Sequence, residues 1–108
     1  MIRTLIIEDE HPAATRLEKL LLELEPEIQI LTILDGVDKS VEWLQSNTAP
    51  DLIMLDIQLS DGLSFDIFKH YKPESFVIFT TAYDEYAIQA FELNSIDYLL
   101  KPINKVKR

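Results

Sequence analysis

Glu8, Asp9 and Glu10 follow directly on the apolar Leu5-Ile6-Ile7, and each carboxylate repels the next. Asp56 closes a second compact run, Asp51–Leu55. Thr80 and Thr81 close a third, Phe76–Phe79, and Lys101 with Pro102 closes a fourth, Ile96–Leu100. Crowded carboxylates are costly unless a cation joins them. Mg2+ takes oxygen ligands in octahedral geometry, keeps several waters and uses few carboxylates. Glu8, Asp9 and Asp56 match that demand. Lys101 offers a positive charge to a phosphoryl oxygen or to Asp56 itself, and a threonine hydroxyl can donate to the same oxygen. No histidine–cysteine set with zinc spacing exists, since cysteine is absent. Singly, each group also has an ordinary role: Asp9 as a helix cap, Glu10 as solvated surface, Lys101 as a surface lysine.

The elements between these groups alternate. Ile2–Ile7 reads as a strand, a β-branched apolar run ended by acids. Ala14, Leu17, Leu21 and Leu24 then recur at helical spacing, with Pro12 in the first turn and Pro26 closing the segment. Ile28–Leu34 is a second strand, and Val37, Val41 and Leu44 mark a second helix. After the strand ending at Asp56, Ser60-Asp61-Gly62 is a turn, and Leu63, Ile67 and Phe68 begin a third helix. Phe76–Phe79 is the fourth strand. Tyr83, Tyr86, Ala87, Ala90 and Phe91 line a fourth helix, Ile96–Leu100 is the fifth strand, and Asn104–Arg108 is a fifth helix barely begun. Strands without a polar face need cover on both sides, so strand–helix repeated five times predicts a parallel sheet with helices on both faces. In such sheets ligands sit beyond the C-terminal strand ends, where Glu8, Asp9, Asp56, Thr80, Thr81 and Lys101 all fall.

The bulk properties narrow the class. A chain of 108 residues, 47% hydrophobic, suits one domain with one core. A net charge of -9 repels phosphate backbones, so contact of this domain with nucleic acid is not expected. No signal peptide and no membrane span is legible. The lack of cysteine fits a cytoplasmic location.

The ordered set of Glu8-Asp9, Asp56, Thr81 and Lys101-Pro102 resembles the receiver domain of two-component response regulators, over essentially the whole chain. The resemblance implies a flavodoxin-like (βα)5 fold, doubly wound, with strand order 2-1-3-4-5 and the last helix truncated. It makes Asp56, in "LIMLDIQLSDG", the phosphoacceptor. Asp9 becomes the direct Mg2+ ligand, with Glu8 acting through water and Gln58 contributing its main-chain carbonyl. Thr81, in "FTTA", matches the switch hydroxyl, Ala82 the small residue beside it, Tyr98 the switch aromatic and Lys101 the lysine on a phosphoryl oxygen. Thr80 is expected to point elsewhere. Two departures stand out. Glu8 replaces a common Asp, and Leu59-Ser60 replaces a common Met-Pro, which removes the preset backbone angle of that loop. "FTTAYDEYAIQAFELNSIDYLLKPI" further resembles receivers joined to LytTR-type DNA-binding domains.

On this resemblance a sensor histidine kinase supplies the phosphoryl group. A missing C-terminal effector reads the output, and residues 1–108 are the N-terminal piece of a longer regulator. The face of helix four, strand five and helix five changes shape on phosphorylation and is a candidate homodimer surface. Tyr83, Tyr86 and Phe91 read as packing residues, and His11 and His70 as ordinary polar residues. Two alternatives stand beside this reading. One is a receiver-like interaction module that works without phosphorylation, against which the intact acids and Lys101 argue. The other is a small Mg2+-dependent phosphohydrolase, which needs a second acid close after Asp56, where Ile57, Gln58 and Leu59 stand. A flavodoxin-like cofactor carrier lacks its phosphate loop after the first strand.

Overall fold

A computed structural model of the chain describes residues 1–81 and 97–100. Strand β1 (Ile2–Ile7) is followed by α1 (His11–Leu24), β2 (Ile28–Leu34) and α2 (Val37–Ser46). Next come β3 (Leu52–Asp56), a two-stranded hairpin of β4 (Gln58–Leu59) and β5 (Gly62–Leu63), a 3-10 helix (Ser64–Lys69), β6 (Phe76–Thr81) and β7 (Asp97–Leu100). The main sheet is parallel throughout, in the order β2-β1-β3-β6-β7. With the hairpin strands set aside, this is the expected 2-1-3-4-5 order. The sequence-predicted fourth and fifth helices lie outside the described residues.

The central strands are buried from both sides over their apolar stretches, residues 5–7 and 53–55. Leu5, Ile6, Ile7, Ile53 and Leu55 have essentially no exposed surface. One face carries the larger core, in which Leu5, Ile7, Ile53, Leu55 and Phe79 meet Val37 and Leu44 of α2 and Phe65 and Ile67 of the 3-10 helix. Phe79 anchors it, with its ring 5.0 Å from that of Phe65 and 6.1 Å, edge-on, from that of Phe68. On the other face Ile6 and Met54 pack with Leu17 of α1.

Several local expectations change. In α1, Ala14 and Leu17 are buried, but Leu24 is 57% exposed, so the apolar face stops before the helix does. Pro12 does lie in the first turn, where no internal N–H bond is lost. The N-cap residue is Glu10, without a side-chain cap bond, so Asp9 is not the cap. The third helix is a single 3-10 segment of six residues. Gly62, at φ 144°, opens the second hairpin strand, the 3-10 helix starts directly after that strand, and Pro73 lies beyond its end. Thr80 and Thr81 belong to β6 itself, and Asp56 is the last residue of β3. Among the described residues no helix is long and apolar enough to cross a membrane.

Candidate functional site at the C-terminal strand ends

Register brings the acids together. Ile7 of β1 lies beside Leu55 of β3, so the residues that follow them, Glu8 and Asp56, are level at the same sheet end. Asp56 in turn lies beside Thr80 of β6. One carboxylate oxygen from each of Glu8, Asp9 and Asp56 falls within 4.8 Å of the others. Glu8 and Asp56 are nearly shut off from solvent, at 3% and 8% exposure, and Asp9 is half-buried. Main-chain bonds fix the platform. The Glu8 N–H donates to the Leu34 carbonyl (2.8 Å), and the Ile57 N–H donates to the Thr80 carbonyl (3.0 Å). A Glu8 carboxylate oxygen also accepts from the Glu10 N–H at 3.3 Å. Three acids this close and this dry form a hard-oxygen donor set of the kind a small divalent cation takes. This cluster is what the sequence led one to expect.

Thr80 is buried, and its hydroxyl donates to the Leu55 carbonyl at 3.4 Å. It therefore turns back into the sheet, as anticipated. Thr81 and Tyr98 are placed on β6 and β7 by their backbone alone, in register with Leu100 and Phe79 respectively. Ala82 and Lys101 lie outside the described residues. Gln58 opens the hairpin and is exposed, one residue beyond Ile57. His11 and His70 are both exposed, with no place in the acid cluster.

Asp61 was legible only as a turn residue, yet it does more. Its carboxylate accepts the Val37 N–H at 2.7 Å and the Asp38 N–H at 3.3 Å, which caps α2 from across the fold. The Val37 N–H bond holds the Asp61 carboxyl below the ordinary aspartate range. One sequence signal pointed this way: Gly36, directly before α2, has no side chain with which to cap it.

An acidic cluster at the C-terminal edge of a five-stranded doubly wound sheet marks a flavodoxin-like domain whose three carboxylates lie close enough to share one metal ion. Residues 4–107 match the response regulator receiver domain, and the chain belongs to that family. It is 43% identical over 108 residues to the sensory transduction protein LytT of Bacillus anthracis, covering 97% of this chain and 43% of that protein. It is 36% identical to LytT of Bacillus subtilis, covering 97% of this chain and 44% of that one. The chain thus spans less than half the length of these curated relatives. Among solved structures, the response regulatory domain of mrkE from Klebsiella pneumoniae superposes with a TM-score of 0.82 at 33% identity, over 98% of this chain and 88% of that one.

Proposed function

We propose that Asp56 is the phosphoacceptor of this receiver domain and that Glu8 and Asp9 assemble a Mg2+ site beside it. The gathering of the three carboxylates within 4.8 Å at the end of β3 carries this reading. Asp9 and Asp56 offer direct carboxylate ligands, Glu8 acts through water and Gln58 offers its main-chain carbonyl. Bound Mg2+ offsets the negative charge that gathers where phosphoryl oxygens meet these acids.

The donor is a phosphohistidine on a sensor kinase. A carboxylate oxygen of Asp56 attacks phosphorus in line, the new O–P bond forms as the N–P bond breaks, and the imidazole leaves and takes up a proton. Lys101 and the Thr81 hydroxyl hold phosphoryl oxygens. Water later cleaves the acyl phosphate to the carboxylate and inorganic phosphate. The domain is a signalling module that assists its own phosphorylation and dephosphorylation rather than turning over a free substrate.

Movement of Thr81 toward the phosphoryl group and rotation of Tyr98 convey the change to the surface around β7. That surface controls a C-terminal effector, a LytTR-type DNA-binding domain by likeness to LytT, and pairs two copies of the regulator in the cytoplasm. Transfer of labelled phosphate from an autophosphorylated kinase tests the reading. Label should enter the wild type only with Mg2+ present and should not enter Asp56→Asn. Equal labelling of that variant would refute it.

A further inference from the structure

The hairpin that follows the phosphoacceptor strand is rooted at two points. At its base, the Ile57 carbonyl accepts the Ser64 N–H at 2.7 Å, and the Ile57 N–H is held by Thr80. Ile57 and Ser64 therefore form a hydrogen-bonded rung. The next rung, Gln58 opposite Leu63, is of the alternate kind, whose main-chain groups face away from the partner strand. At its tip, Asp61 binds the first two N–H groups of α2, 24 residues back in the chain. Gly36 makes this approach feasible. A Cβ there would lie 3.1 Å from Asp61 Oδ2, closer than ordinary contact allows. A local cap at position 36 and the distant cap from Asp61 thus compete for the same space.

We propose that Asp61 is a positioning residue for the phosphoacceptor site, and that its grip on α2 holds the hairpin in the setting that presents the Gln58 carbonyl to a divalent cation beside Asp56. The inference rests on the reading of Asp56 and its acids given above, and it adds the residue that keeps the loop in place. It also accounts for Ser60. A proline there would preset the backbone angle, whereas here a tether from the neighbouring residue supplies the constraint.

The test separates capping from positioning. Asp61→Ala removes both the helix cap and the tether. Adding Gly36→Ser returns a cap to α2 from its own N-cap position but leaves the hairpin untied. Melting temperature, Mg2+ affinity by calorimetry and the rate of phosphorylation by a small acyl phosphate are measured for wild type, both variants and Asp61→Asn, which keeps one acceptor oxygen. The double variant should recover most of the melting temperature lost by Asp61→Ala. Its Mg2+ affinity should stay weaker by about tenfold or more, the usual cost of losing a residue that orients a ligand. Its phosphorylation rate should approach wild type once Mg2+ saturates, and Asp61→Asn should fall between. If Mg2+ affinity returns together with stability, or never falls in Asp61→Ala, Asp61 is only a helix cap and the proposal is wrong. If the wild type itself neither binds Mg2+ nor takes a phosphoryl group, the underlying reading fails and this inference falls with it.

Discussion

Replacing Asp56 by asparagine should make the metal-free domain more stable, not less. At the 4.8 Å limit of the cluster, one carboxylate pair repels by about 0.9 kcal/mol in water and about 3.5 kcal/mol at an effective dielectric constant of about 20. The pair of Asp56 with buried Glu8 belongs near the higher figure, and its pair with half-buried Asp9 near the lower. Together they amount to about 4 kcal/mol of repulsion. Weaker hydrogen bonding by a neutral amide takes back about 1.5 to 3 kcal/mol. A net gain of about 1 to 2.5 kcal/mol remains, a rise of roughly 5 to 10 °C in melting temperature for a domain of this size. Thermal unfolding followed by circular dichroism, in EDTA and in excess Mg2+, reads both sides of the account. At a hundredfold excess over its Kd, Mg2+ should stabilise the wild type by about 2.7 kcal/mol, and the variant by much less. The order of stability seen in EDTA should then narrow or reverse. A variant less stable than wild type in EDTA, or equally stabilised by Mg2+, would refute the reasoning.

Three further outcomes follow from the packing and the hairpin. Phe79→Ala empties the centre of the larger core and should cost about 3 to 5 kcal/mol in urea unfolding. Gly62→Ala should cost about 1 to 2 kcal/mol by the same measurement, because its φ of 144° and not its surroundings excludes a side chain. The Asp61 carboxyl is held below its ordinary value of 3.8, so the unfolded chain takes up that proton first. The stability from its cap is therefore complete above that value and fades as pH falls through the lower folded one. The gap in melting temperature between wild type and Asp61→Asn should be open at neutral pH and close in the acid range; a gap that widens in acid would contradict this.

The strands of the sheet were legible because their signal is local. Ile2–Ile7 and Ile28–Leu34 are mostly apolar, β-branched runs ended by acids, and they appear with the expected limits. The acid cluster was legible for a related reason. A parallel sheet aligns its C-terminal ends, so residues as far apart in sequence as Glu8 and Asp56 become neighbours once the strands are known. The hairpin was not legible, since two-residue strands such as Gln58–Leu59 carry no periodicity. Nor was the part played by Asp61. "SDG" spells a turn, and nothing nearby reveals that its carboxylate will cap a helix 24 positions earlier. Leu24 kept its helical phase yet lies exposed, because periodicity assigns a face without saying how much of that face finds a partner.

The central claim, that Asp56 takes the phosphoryl group, is met most directly by locating the modified residue. The domain is incubated with Mg2+ and a small acyl phosphate, reduced with borohydride to convert an acyl phosphate to an alcohol, and digested for peptide mass spectrometry. The account predicts the alcohol at position 56, absent when Mg2+ is withheld. Modification at another carboxylate, or none on a folded protein that binds Mg2+, would contradict it.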